Sequence, residues 1–189
     1  MSSCFAMVGV VENNQYSPSS KIYNVPVPIN ETFGGKINDN VNGVVFTDDF
    51  CNLFRIEFLS LSSQETAYLN EIGKEKFLQE YIKKIYMPMT ILADIPDASI
   101  DYQEYVENIF GGALYVEVNL PKGSTCSVSH GGSSYVKEDT KRGIVIFFHN
   151  NNIFFVSTGL EGLKEKVKEI TKDLLKDNTV SFSKTIRFK

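Results

Sequence analysis

The apolar residues of this chain switch from a period of two to a period near 3.6 within residues 142–175. Arg142-Gly-Ile-Val-Ile-Phe-Phe-His149 and Ile153-Phe-Phe-Val-Ser-Thr158 are dense in β-branched and aromatic residues, and they flank Asn150, Asn151 and Asn152. Asparagines tolerate left-handed dihedrals, so the pattern predicts a β-hairpin whose second strand ends at Gly159. From Leu160 the apolar positions recur at steps of three and four through Leu163, Val167, Ile170 and Leu174, with lysines and glutamates between them. That spacing predicts an amphipathic helix over about 160–176 that lays these residues on the hairpin, because so apolar a hairpin must be covered on at least one face.

The rest of the chain reads as strands first and helices in the middle. Residues 5–12 fit a short strand, 13–20 a polar loop around Pro18, and Lys21-Ile-Tyr-Asn-Val-Pro-Val-Pro-Ile29 an extended ribbon that its prolines keep at an edge. After the Gly34-Gly35 turn, residues 41–47 and 53–61 form a second hairpin around Asp48–Asn52. Phe54, Ile56 and Phe58 share one face of its return strand and Arg55 and Glu57 the other, the alternation of a sheet covered on one side. Asn70 is placed as the cap of a helix running through Phe77, Tyr81 and Ile85 and stopped by Pro88. Ser99 or Asp101 opens a shorter helix through Tyr105, Val106 and Ile109, ended by Gly111-Gly112. A strand follows over 113–120. The Ser/Gly-rich stretch 122–140 holds a strand near 125–129 and a hairpin at 130–134, and 180–188 closes the chain as a strand.

Composition places the chain among folded proteins: 189 residues, 42% hydrophobic and 22% charged, with Phe 14, Tyr 9 and no Trp. That length suits one domain, 1–189, with 1–20 as a peripheral N-terminal segment. Residues 1–120 carry 7 basic and 16 acidic side chains, net −9, and residues 121–189 carry 12 and 7, net +5, which folding is expected to intermix on one surface. Nucleic acid is disfavoured as a partner, since the 19 basic residues include 3 arginines and many lysines alternate with acids. No apolar run reaches the roughly 18 residues of a membrane span. Cys4, Cys51 and Cys126 are an odd number at wide spacing, which argues against a disulfide framework and for a reducing, cytoplasmic setting. The alternative is an extracytoplasmic lipoprotein with its leader absent from this chain, because the small residues before Cys4 have the look of a lipidation site.

Candidate chemistry is sparse. Cys126 and His130, four apart, would face one side of a strand roughly 13 Å apart, and a turn would be needed to pair thiol and imidazole or to start a metal site completed by Cys51 or His149. Asp48, Asp49 and Asn52, and separately Asp94, Asp97, Asp101 and Glu104, offer oxygens for weak divalent-cation binding, but neither group has a calcium-loop spacing. The glycine pairs fit no phosphate loop, dinucleotide fingerprint or nucleophile elbow. No cofactor is expected.

The order of elements is similar to that of the superfamily joining the PsbP subunit of photosystem II, its bacterial and thylakoid relatives, and a yeast Ran-binding nuclear transport factor of the same fold. Val25-Pro-Val-Pro28, Val44-Val-Phe-Thr-Asp-Asp49, Arg142-Gly-Ile-Val-Ile-Phe147 and Phe154-Phe-Val-Ser-Thr158 carry the resemblance, which spans about residues 21–176. It implies an α+β fold, a three-layer α/β/α sandwich with a central, mainly antiparallel sheet, and a non-enzymatic binding or assembly role through protein contacts. Tyr102, Tyr105 and Tyr135 are the expected exposed contacts, because aromatic side chains anchor interfaces. Two alternatives stand beside this reading. One is a metal-dependent protein or enzyme centred on Cys126 and His130. The other holds a small apolar ligand between the sheet and the helix of residues 72–86, lined by Phe77 and Tyr81.

Overall fold

The computed structural model describes residues 8–124, 127–129, 135–160 and 172–189, with the backbone alone at 127–129, 135, 136, 160 and 172. Its centre is the predicted hairpin. Strand β11 (Thr140–His149) pairs antiparallel with β12 (Asn152–Leu160), with Gly143 opposite Thr158 and Phe147 opposite Phe154. Around it β4 (Lys36–Asn40), β5 (Gly43–Thr47), β6 (Asn52–Ser60), β7 (Ser99–Val106) and β8 (Ala113–Leu120) complete a seven-stranded antiparallel sheet in the order β4-β5-β6-β12-β11-β8-β7. Short strands β9 (Ser127–Ser129) and β10 (Tyr135–Lys137) form a separate hairpin.

Both faces of the large sheet are covered. On one lie helix α1 (Ser63–Ile72), helix α2 (Lys74–Tyr81) and a π-helical segment, Ile82–Ile91. Phe77, Leu78, Ile82, Tyr86 and Ile91 bury themselves there against Val116, Ile144, Ile146, Ile153 and Phe155. On the other face lie helix α3 (Lys172–Ser183) and a four-stranded antiparallel sheet of β1 (Val10–Glu12), β2 (Gln15–Ser17), β3 (Tyr23–Pro26) and β13 (Arg187–Phe188). Tyr16, Tyr23, Phe58, Phe147, Phe154 and Phe182 fill the space between. The sandwich is therefore of the expected class, with one outer layer shared by a helix and a small sheet.

Several local expectations give way, each to a physical cause. Asn13 and Asn14 both take positive φ (50° and 59°), the dihedrals of a two-residue hairpin turn, so the expected polar loop is the β1–β2 hairpin. The first middle helix starts at Ser62, whose hydroxyl caps Glu65 N while Glu65 answers to Ser62 N, and Asn70 lies inside it. Pro88 does not end the helical path. The coil widens to i→i+5 bonding and continues to Ile91, a geometry in which a residue without an N–H is tolerated.

The expected helix over 99–109 is the edge strand β7. A bulge between Ile100 and Tyr102 shifts its phase, so Ile100 and Tyr105 join the helix-covered core while Tyr102 and Val106 join the opposite one, and simple alternation is lost. At the C-terminus the helix runs on to Ser183, and the closing strand shrinks to Arg187–Phe188. Leu163, Val167 and Ile170 lie outside the described residues. Leu174 is 46% exposed, and Leu175, Thr179 and Phe182 face the sheet instead. Gly143 makes that approach possible, because a β-carbon there would overlap the Thr179 hydroxyl and touch Leu175.

Candidate functional site

Alternation along β6 sends Leu53, Arg55, Glu57 and Leu59 to the helix-covered face, so Arg55 and Glu57 do not point to water as a half-covered sheet would require. They form an ion pair beneath the π-helical segment, with the Arg55 guanidinium donating to Glu57 Oε1. Tyr86 completes the group. Its ring stacks on Phe155 (4.1 Å, 9°) and its hydroxyl donates to Glu57 Oε2 at 2.7 Å. Burial, and then the Glu57 charge, push the Tyr86 phenol far above its ordinary range, so it stays a donor.

Above this floor opens a groove of about 330 Å³ between the β4–β5 turn and the π-helical segment. Val41, Leu59, Ile85 and Met89 wall it, with Tyr81 and Phe155 below. Met89 at 74% and Val41 at 62% are the most exposed large hydrophobic side chains among the described residues, and both line this groove. The turn carrying Val41 is held by Asn40, whose side-chain oxygen accepts from Asn42 N at 2.8 Å. Pro88 sets the other wall, since the widened coil around it presents Met89 and Thr90 to the opening. Apolar walls over a floor whose carboxylate is paired with Arg55 and Tyr86 suit recognition of an apolar side chain.

Of the contact residues singled out by sequence, Tyr102 and Tyr105 are described with their side chains. Tyr102 and Tyr105 are half-buried on β7 and face opposite sides of the sheet, so they do not make one patch. Tyr102 donates to Glu104 at 2.8 Å and leans on Tyr115, whereas Tyr105 packs beside Gly112 in the helix-covered core. The Tyr135 backbone lies in β10. Cys126 and His130 lie outside the described residues, as do the side chain of Tyr135 and all of Cys4.

Cys51 is disulfide-bonded, which removes it as a thiolate ligand, and its partner cysteine is outside the described residues. His149 stacks on Phe188 at 3.8 Å. Among the described residues no three His, Cys, Asp or Glu side chains converge as a metal site. Asp48 spends both carboxylate oxygens on Phe50 N, Asn52 N and Asn52 Nδ2. Asp101 and Glu104 sit on β7, paired with Lys141 and Lys176. Those two ion pairs, and Lys141 with Glu117 at 2.7 Å, link acids from the front of the chain to lysines of its basic end.

Phe77 and Tyr81 stack on each other at 5.6 Å inside a filled core, where Phe77 also meets Phe148. The expected enclosed ligand cavity is therefore absent at Phe77, and Tyr81 contributes to the open groove. Sequence reasoning missed Val41, Tyr86 and Met89. The signals were present in Asn40-Val-Asn42, a polar turn with an apolar tip, and in Met87-Pro-Met89, where a proline breaks helical bonding beside an exposed methionine.

No family model matches the sequence, and no curated protein is similar to it at the sequence level. Solved structures are similar in fold. The solution structure of cyanobacterial PsbP (CyanoP) from Synechocystis sp. PCC 6803 has a TM-score of 0.53 at 14% identity, covering 100% of this chain and 99% of that one. The E65A mutant of protein Mog1 has a TM-score of 0.52 at 9% identity, covering 94% and 96%. A protein from Bacteroides thetaiotaomicron has a TM-score of 0.50 at 10% identity, covering 95% of this chain and 49% of that one. Among the described residues no helix is long and apolar enough to cross a membrane. Identities this low speak to architecture alone, and the architecture of this chain is that of the PsbP-like fold.

Proposed function

We propose that this chain is a non-enzymatic binding or assembly protein that acts through protein–protein contacts, with the groove between Val41 and Met89 as its principal contact. The observation that carries the reading is the convergence of the two most exposed large apolar side chains among the described residues on one concave surface whose half-buried charges, Arg55 and Glu57, pair with each other. A partner segment that inserts an apolar side chain would cover Met89, Val41 and Leu59 without stripping water from an unpaired ion. Tyr102, on the exposed edge strand, is a secondary contact in this reading. The PsbP-like resemblance supports the same class of role.

Site-specific photo-crosslinking tests it. A photoreactive phenylalanine replacing Met89 should trap a discrete protein species in the native lysate, and Val41→Glu should abolish that species while leaving the melting temperature unchanged. A trapped species that survives Val41→Glu, or the absence of any discrete species, would overturn the assignment of the groove.

A further inference from the structure

At the opposite end of β4 and β5 from the groove, two phenylalanines stand in water on braced loops. Phe33 is 52% exposed and Phe50 61%, their rings 5.5 Å apart and inclined at 65°. Neither belongs to either core cluster. The loops are tied internally and to each other. Asn30 Oδ1 accepts from Thr32 N, Gly34 takes a left-handed φ of 70° and donates to Glu31 O, and Asp49 N donates to Phe33 O at 3.0 Å. Asp48 accepts from Phe50 N and Asn52 N. The ring pair is thus placed before any partner arrives, which lowers the ordering cost of binding.

The charges around the rings select what fits. Glu31, two residues before Phe33, and Asp49, next to Phe50 with its carboxylate against Gly34, are exposed acids, and Lys36, at the start of β4, is the cation of these loops. A purely apolar cover would desolvate the two carboxylates without pairing them, and an anionic lipid headgroup would be repelled. We propose that the Phe33–Phe50 platform binds an arginine side chain from a basic segment of a partner protein. A guanidinium plane stacks on an aromatic face, is attracted by its negative quadrupole, and reaches a carboxylate at the rim, so it satisfies both features at once.

The test uses the full chain and a capped Arg-Gly-Arg-Gly-Arg peptide at physiological salt, with its lysine analogue and phosphatidylserine-containing vesicles as the other arms. The arginine peptide should shift the backbone amide resonances of Phe33, Gly34, Gly35 and Phe50. Phe33→Ser and Phe50→Ser should each weaken its binding by about twofold to fivefold with melting unchanged. Glu31→Gln combined with Asp49→Asn should weaken binding and flatten its salt dependence, and the lysine peptide should bind more weakly than the arginine peptide. Undiminished binding to the double serine variant would reduce the effect to diffuse charge attraction and overturn the proposal. So would a shift map centred elsewhere, or vesicle binding that needs the two phenylalanines.

Discussion

The two faces of the large sheet are built from the same strands but held in different ways. On the helix-covered face the sheet offers mostly aliphatic residues, Val116, Ile144, Ile146 and Ile153, and the cover is one continuous stretch of chain, residues 63–91. On the other face aromatic rings pack among the aliphatic Val44, Ile56, Val145 and Val156. Phe147 stacks on Phe110 (3.9 Å, 15°) and lies parallel to Phe154 (8°), while Phe154 also meets Tyr23, Phe58 and Phe188 edge-on or stacked. Its cover comes from both ends of the described chain, strands β1–β3 and the segment from α3 to β13. A local helical cover can form from nearby residues and leave a groove where it lifts off, as it does around Pro88. A cover drawn from both ends is held by ring-to-ring packing between residues far apart in the chain.

The largest effect expected from breaking this arrangement is at α3. Leu175→Asp places a charge in the interface with β11 and β12 and should unfold the domain or leave it molten in a near-ultraviolet circular dichroism melt. A cooperative melt close to wild type would mean that α3 does not dock through Leu175.

Phe154→Ala should cost about 3–5 kcal/mol and loosen β3 and β13 together, as read by hydrogen exchange. Ile153→Ala, one residue away on the other face, should cost about 2–5 kcal/mol and loosen α2 and the π-helical segment instead. Identical exchange maps for the two variants would erase the distinction between the faces.

Alkaline titration sharpens the comparison further. Burial raises the phenol pKa of Tyr16, Tyr23 and Tyr115 on the aromatic face and of Tyr86 on the other. The unfolded chain therefore loses these protons first. Stability is fully present below the ordinary tyrosine pKa of about 10 and falls above it, by about 1.4 kcal/mol per pH unit for each buried phenol. Tyr86→Phe should remove one share of that slope, and an unchanged slope would show that Tyr86 is open to water.

At neutral pH Tyr86→Phe should cost about 1–2 kcal/mol, the loss of one hydrogen bond to the Glu57 carboxylate. The smallest effect belongs to Leu174→Asp, expected within about 0.5 kcal/mol of wild type because the side chain is already half in solvent. A large cost there would restore Leu174 to the buried stripe that its spacing suggests.

Much of this architecture is legible in the chain, and the misreadings share a cause. Strands β5, β6, β8, β11 and β12 follow runs of Val, Ile and Phe whose pairing partners are near in sequence or strongly apolar. The β7 segment was unreadable as a strand because its bulge destroys the period of two. The segment from Val180 reads as a strand by alternation, yet it is helical to Ser183 because Thr179 and Phe182 pack on a neighbour that only folding supplies. The groove follows the same rule. Met89 and Val41 are 48 positions apart, and Arg55 and Glu57 look solvent-facing until a second layer is known to cover them.

By itself, then, the sequence determined the antiparallel β11–β12 hairpin, the α+β class and the absence of an apolar run long enough to span a membrane, since these depend on local period and composition. Tertiary structure decided which face each strand residue serves, where the helices end, and that an ion pair and a tyrosine lie under an open apolar groove. Those features depend on long-range contacts. A side chain's burial is set by what covers it, and the cover here comes from residues tens of positions away.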